Sequence, residues 1–190
     1  MKSPPTFCGN RQCLAERPED MTCMIRPMTR QDADTVLAIY AEGIATYNAT
    51  FDTEPGSWEM FDKRFLPACR LVAKDGGKVV GWAVLSAASA RPVYRGVAEV
   101  SVYIGAGERG KGFGKALMAA LIEAAEDAGF WTLQGHIFPE NEASLKLHAQ
   151  FGFQVVGTRE RFGLMSAGPL AGQWRDVTLM ERRSTVVGAD

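Results

Sequence analysis

Residues Tyr103–Leu117 read YIGAGERGKGFGKAL and satisfy three phosphate-binding patterns at once. Gly105, Gly107 and Gly110 spell G-x-G-x-x-G, Gly105, Gly110 and Lys111 approach a P-loop, and Arg109, Gly112 and Gly114 spell R-x-x-G-x-G. A P-loop needs Ser or Thr after its lysine to hold magnesium, and that position is Gly112. The dinucleotide pattern follows the first strand of parallel βαβ units, with an acid about 20 residues on at the next strand's end. Here the loop comes late, and Glu123, Glu126 and Asp127 fall inside the following helix. The third pattern fits its context. A strand ends in Tyr103-Ile104, and glycines open a helix whose first N–H groups are unpaired and dipole-positive. Gly112 and Gly114 admit a pyrophosphate close to the backbone, and Arg109, Lys111 and Lys115 add charge. Taken alone, the stretch also reads as a glycine-rich turn with surface cations.

Upstream of the loop, Met24–Met28 reads as a short strand, and Thr29-Arg30-Gln31-Asp32 as a capping box. Ala33, Val36, Leu37, Tyr40, Ala41 and Ile44 follow at helical spacing. A loop from Tyr47 to Pro55 leads to a second helix over 57–65. Apolar runs 70–74 and 78–87 flank Asp75-Gly76-Gly77, a hairpin signal, and Val97–Ile104 resumes as a strand. Downstream, 112–127 is a helix closed by Gly129, 131–137 a strand and 141–151 a helix, with two strands near 153–161 and 173–182. The expected order is β-α-α-β-β-β-α-β-α-β-β, an α/β domain with one mixed sheet and helices on both faces.

The bulk composition narrows the function classes. The 190 residues, 46% hydrophobic and 23% charged, suit one soluble domain. A net charge of -1 argues against a general nucleic-acid binder, which needs an excess of Lys and Arg. The sequence lacks both a run of about 18 apolar residues and a signal-peptide core, so neither membrane nor export is expected and the chain is assigned to the cytoplasm. Cys8, Cys13, Cys23 and Cys69 form no disulfide framework, and without a second Cys or His pair no metal site is expected. Residues 1–23 read as a disordered tail, with Met21 and Met24 as alternative first residues, 24–183 as a single domain and 184–190 as a flexible C-terminus.

Glu99–Ile104, Arg109–Gly114, and Asn141–His148 with Phe151-Gly152-Phe153 together resemble the GNAT acyltransferase superfamily, most closely its phosphinothricin acetyltransferase group. The similarity runs from about Ile25 to Glu181, and Gly172–Val177 also resembles that group. The resemblance implies a largely antiparallel mixed sheet and an N-acetyltransferase that uses acetyl-CoA as co-substrate. It implies that Arg109, Gly110, Lys111, Gly112, Phe113 and Gly114 hold the pyrophosphate. Val102, Tyr103 and Ile104 would pair with the pantetheine arm through their backbone, with Asn141 and Ser144 on its other side. Asn141 also reads as a plain helix N-cap.

Acetylating an amine requires a neutral amine, so a base is needed. Strand alternation puts Glu99, Ser101 and Tyr103 on one side and the apolar Ala98, Val100, Val102 and Ile104 on the other. The resemblance implies that Glu99 is the base; by itself it also reads as a solvent-facing strand residue. His148 shares a helical stripe with Ser144, Leu147 and Phe151 and stands where that group carries histidine. It reads as an acid, a substrate contact or a packed ring.

Tyr47, Phe51, Arg91, Tyr94 and Arg95 resemble the group's aromatic and arginine substrate pocket, arginine suiting an amino-acid carboxylate. The expected acceptor is a small amine: a glutamate-like analogue such as phosphinothricin, methionine sulfoximine or methionine sulfone, which would make the activity a detoxification. Acetylation of a protein or peptide N-terminus and a non-catalytic acyl-CoA sensor are the competing readings. A homodimer is implied by the resemblance alone.

Overall fold

The computed structural model describes residues 23–189, so residues 1–22 of the tail, with Met21 and the Cys8/Cys13 pair, lie outside the described residues, while Met24 opens the first strand. The chain forms β1 (Met24–Pro27), α1 (Ala33–Ile44), α2 (Trp58–Arg64), β2 (Leu71–Asp75), β3 (Lys78–Ala87), β4 (Val97–Ile104), α3 (Phe113–Asp127), β5 (Thr132–Ile137), α4 (Glu142–Gln150), β6 (Gln154–Leu164) and β7 (Trp174–Arg183). Every expected element is present in the expected order. The strands form one seven-stranded sheet, β1-β2-β3-β4-β5-β7-β6, antiparallel except between β4 and β5.

Alternation along β2 and β3 builds two cores, one on each sheet face. Leu71, Ala73, Ala83 and Leu85 pack with Phe113, Leu117, Met118, Leu121, Ile122 and Ala125 of α3. Val72, Trp82 and Val84 pack with Val36, Ile39, Tyr40 and Ile44 of α1 and with Phe61 of α2. The indole of Trp82 donates to the carbonyl of Val36 at 3.1 Å, which satisfies its one polar atom in an otherwise apolar layer.

Local chemistry sets the helix ends. Thr29 donates to Asp32 through its N–H (2.8 Å) and hydroxyl (3.0 Å), and Arg26 clamps the same carboxylate at 2.7 and 2.8 Å. The guanidinium first, and the Thr29 donors after it, hold the Asp32 carboxyl down at about 2. The expected capping box thus opens a short 3₁₀ turn, Arg30–Asp32, which feeds α1. Beyond α3, the Phe130 N–H reaches back to the carbonyl of Ala125 at 2.9 Å, the bond that closes a helix over a left-handed glycine.

Within the segment 184–190, expected to be flexible, Ser184 and Gly188 make hydrogen bonds to the domain. Ser184 is buried, its N–H bonded to the carbonyl of Trp131 (2.9 Å) and its hydroxyl to Glu126 (2.8 Å). The carbonyl of Gly188 accepts from Arg183 at 2.7 Å. A run of small and branched residues carries no sequence signal for these return contacts.

The short pairing of β4 with β5 opens the sheet. β4 and β5 pair only through Val97–Thr132, Ala98–Leu133 and Glu99–Gln134. Past Glu99, β4 stays on β3 as far as Ile104 and β5 stays on β7 as far as Ile137, so the two strands part. A V-shaped gap opens through the sheet with backbone on both sides.

Candidate active site

A cleft of about 890 Å³ fills this gap, in the size range of small-molecule sites. One end is made by the glycine loop: Arg109, Gly110, Gly112, Phe113, Gly114 and Lys115 line it. Gly112 is the N-cap of α3 with φ 83°, a left-handed conformation that turns the chain so that the first turn of α3 meets the cleft. No acidic residue lies in that turn to offset its positive end. Arg109 donates to the carbonyl of Ile104 at 3.3 Å, while Lys111 is held on Glu108 at 2.7 Å and does not line the cleft.

Val102, Tyr103 and Ile104 form the adjoining wall. Their side chains are engaged elsewhere, Val102 and Ile104 against the α3 core and Tyr103 stacked on Trp82 at 4.6 Å. What they can offer a ligand is therefore backbone, the role expected for them. Facing them, Asn141 caps α4: its oxygen accepts from the Ser144 N–H at 3.1 Å, and its amide donates to the carbonyl of Asn48 at 2.8 Å. The N-cap reading of Asn141 is met in this geometry, the same side chain ties down the loop after α1, and Asn141 also lines the cleft. Ser144 lines the cleft beside it.

Glu99 sits on the last rung shared by β4 and β5 and lines the cleft, partly exposed. Its Oε2 lies 3.2 Å from Nδ1 of His136, and Nε2 of His136 lies 3.3 Å from Nη1 of Arg159. Arginine can only donate, so Nε2 accepts and Nδ1–H points to Glu99. Arg159 also lies over the ring of Phe162 at 5.1 Å, and that ring runs parallel to His136.

His148 stands on the opposite wall, buried, with Nδ1 2.8 Å from the carbonyl of Ser144. A carbonyl can only accept, so Nδ1 carries the proton and Nε2 is a bare lone pair, buried without a partner. Burial lowers its basicity and keeps the ring neutral. Of the expected roles, packing is present, edge-on to Phe153 at 4.9 Å; the bare Nε2 does not suit the expected acid and can instead accept a proton, a role not read from the sequence. Gly135 makes the fit possible, since a Cβ there would sit 3.0 Å from Nε2.

The expected substrate residues divide. Phe51 lines the cleft, packed edge-on to Phe138 at 4.8 Å. Tyr47 lies behind it, lining a smaller cavity of about 250 Å³. Arg91, Tyr94 and Arg95 are not brought to the cleft wall of this chain. A 3₁₀ turn at Pro92–Tyr94 lays Arg91 over Tyr94 (5.6 Å), and Arg95 covers Trp131 (5.5 Å). In their place the wall carries Tyr40, Asp52, Arg64, His136, Arg159 and Phe162. Tyr40 and Arg64 both hydrogen-bond Asp52, which pins the loop between α1 and α2. None of these was singled out from the sequence. An isolated histidine in an apolar strand and an arginine in an edge strand carry no local pattern. Among the described residues no group of three His, Cys, Asp or Glu is arranged to hold a metal.

Comparison with known proteins agrees with this geometry. Residues 37–153 match the family model described as Acetyltransferase (GNAT) family. The chain is 34% identical over 171 residues to the L-methionine sulfoximine/L-methionine sulfone acetyltransferase of Pseudomonas aeruginosa, covering 85% of this chain and 94% of that protein. It is 31% identical over 166 residues to the phosphinothricin N-acetyltransferase of Streptomyces coelicolor, covering 83% and 94%. Among solved structures, a GNAT superfamily phosphinothricin acetyltransferase from Sinorhizobium meliloti, in complex with AcCoA, superposes with a TM-score of 0.79. It is 30% identical, over 90% of this chain and 92% of that one.

Proposed function

Because the chain belongs to the acetyltransferase (GNAT) family, and is an N-acetyltransferase by that membership, we propose that it moves the acetyl group of acetyl-CoA to the α-amino group of a small amino-acid analogue of the phosphinothricin, methionine sulfoximine or methionine sulfone type. The observation that carries this reading is the place of Glu99. It sits at the apex of the split between β4 and β5, with the glycine loop at one end of the same cleft and the Arg159 wall at the other.

Acetyl-CoA, when bound, supplies the thioester to be attacked. The residues present suit it: left-handed glycines at 110 and 112, an α3 N-terminus free of acids, Arg109 and Lys115 at the rim, and the unpaired edge of β4. Glu99 takes one proton from the acceptor ammonium, which frees the lone pair for direct attack. The nitrogen sheds a second proton as the amide forms, and Nε2 of His148 is the base on the far wall through which that proton can pass to the leaving sulfur. The acceptor is oriented by the Phe51, Phe138 and Phe162 rings. The amide N–H and the acyl chain need no metal in this scheme.

Turnover is followed as free thiol released from acetyl-CoA, with phosphinothricin, methionine sulfoximine, methionine sulfone, common amino acids, a polyamine and an N-terminal peptide as acceptors. Turnover concentrated on the sulfone, sulfoximine and phosphinothricin class is expected. Activity on the peptide or polyamine alone overturns the acceptor, and acetyl-CoA binding without turnover favours a sensor.

The loop assignment has its own test. Valine at Gly112 would hold a β-branched residue at φ 83° and place methyl groups where the phosphates approach. Gly112→Val is expected to raise the KM for acetyl-CoA at least about tenfold, from strain and lost contact of about 1.5–3 kcal/mol. The KM for the acceptor should move far less.

In this reading the enzyme works in the cytoplasm, in a detoxifying role, on free small molecules. No helix among the described residues is long and apolar enough to cross a membrane. Exposed Val155, Val156 and Leu164 on the edge strand β6, with Trp174 beside them, support a second copy of the chain docking there as a homodimer.

A further inference from the structure

We infer that Arg159, laid over Phe162 and joined through His136 to Glu99, is the group that takes the α-carboxylate of the acceptor, an inference that rests on the amino-acid reading above.

The cations around the cleft can be sorted by what already occupies them. Arg64 is held by Asp52, and Lys146 by Glu142. Arg109 and Lys115 stand at the glycine loop, the end assigned to phosphates. Arg175, behind the wall, is committed to the carbonyl of Tyr47, to Asn48 and to Glu140. Arg159 alone, among the described residues lining the Glu99 end, carries a guanidinium with no carboxylate on it. Its polar contact is the acceptor nitrogen of His136, and its apolar face rests on Phe162, so the fork is held in place with donors to spare.

The topology puts it there. Glu99 is in register with Gln134, His136 lies two residues on and opposite Leu179, and Val177, two residues along β7, is opposite Arg159. Alternation therefore sets Glu99, His136 and Arg159 on one face of four adjacent strands. One imidazole ring and two polar contacts, 3.2 and 3.3 Å, separate the negative group from the positive one. An α-amino acid needs nearly the same span: its short N–C–C–O unit with a hydrogen bond of about 2.8 Å at each end. The ammonium would meet Glu99 and the carboxylate Arg159, so charge runs opposite to charge along the whole zwitterion. An amine without the carboxylate would leave Arg159 unpaired. His136 acts as a positioning residue that fixes the distance between the two.

The test compares methionine sulfone with its decarboxylated counterpart, 3-(methylsulfonyl)propan-1-amine, at saturating acetyl-CoA, in the full-length wild type, Arg159→Gln and Arg159→Lys. The sulfone is chosen because its carboxylate is its only anionic group. Arg159→Gln is expected to lower kcat/KM for methionine sulfone about 10- to 100-fold, mainly through KM, as loss of a charged hydrogen bond does. Turnover of the amine should change less than about threefold, which also reports a folded enzyme, and Arg159→Lys should recover part of the loss. Equal losses on both acceptors, or no loss on either, overturn the subsite. With phosphinothricin assayed as a third acceptor, a loss confined to it, with the sulfone unaffected, gives Arg159 to the side-chain head and overturns the subsite as well. If the wild type acetylates amino acids without regard to Arg159, only the subsite falls. If it acetylates no amino acid, the acceptor class falls and the subsite with it.

Discussion

Glu99→Gln lowers kcat about 10²- to 10³-fold while leaving the KM for acetyl-CoA within about twofold of wild type. The substitution keeps the shape of the side chain and an oxygen able to accept from His136 Nδ1 at the observed 3.2 Å, so geometry survives and only basicity is lost. A general base is worth about 10²–10⁴ in rate, and the lower half is expected because solvent reaches this partly exposed carboxylate and can replace it. The glycine loop lies at the other end of the cleft, which is why affinity for acetyl-CoA should hold. The pH profile separates a base from a structural residue. With the base gone, the neutral amine must come from solution, so the residual rate should keep climbing toward the amine's own pKa where the wild type levels off. A loss below about fivefold with an unchanged profile would remove Glu99 from the chemistry.

The fold was legible because its signals are local. The Thr29–Asp32 box, the Asp75-Gly76-Gly77 hairpin and the Gly112 and Gly129 boundaries of α3 each occupy a few consecutive residues, and each sits where the sequence puts it. The glycine loop could be read as one phosphate-binding pattern rather than another because its rivals are rejected on single residues such as Gly112, and the structure puts most of that loop at the cleft. The family resemblance then supplied what spacing could not: the co-substrate and a role for Glu99.

The cleft wall around His136 and Arg159 was hidden because it is made by strand order. His136 and Arg159 are 23 residues apart and meet through β7, which lies between their strands in the sheet but follows both in the chain. Nothing near either residue announces the other. Arg91, Tyr94 and Arg95 are close to Glu99 in sequence and have suitable chemistry, yet here a tight turn lays Arg91 over Tyr94 and Arg95 over Trp131, outside the cleft lining of this chain. Strand register would have found His136, since Glu99 and Gln134 are paired and His136 follows two residues on, on the same face.

Arg175 lies in the Gly172–Val177 stretch that carries part of the resemblance, with no role read for it from the sequence, and its removal should show how the loop after α1 is held. Its guanidinium donates to the carbonyl of Tyr47 at 2.9 Å and to Asn48 at 3.2 Å, and lies 4.0 Å over the ring of Phe138. The pair with Glu140 at 2.9 Å adds little, because the Glu140 carboxylate is mostly in water. Arg175→Met keeps the apolar stem and removes the buried Nε, which lacks a partner, so part of the loss is offset. The net cost is about 2 kcal/mol, from the unpaired carbonyl and the lost contact with the ring, and the melting temperature should fall about 4–8 °C. Thr46, Asn48, Ala49, Thr50 and Phe51 all line the cleft, so the acceptor KM should rise several-fold while that for acetyl-CoA stays put. A fall of less than 2 °C with unchanged acceptor KM would mean that the ties from Asn141 to Asn48 and from Asp52 to Tyr40 and Arg64 hold the loop without it.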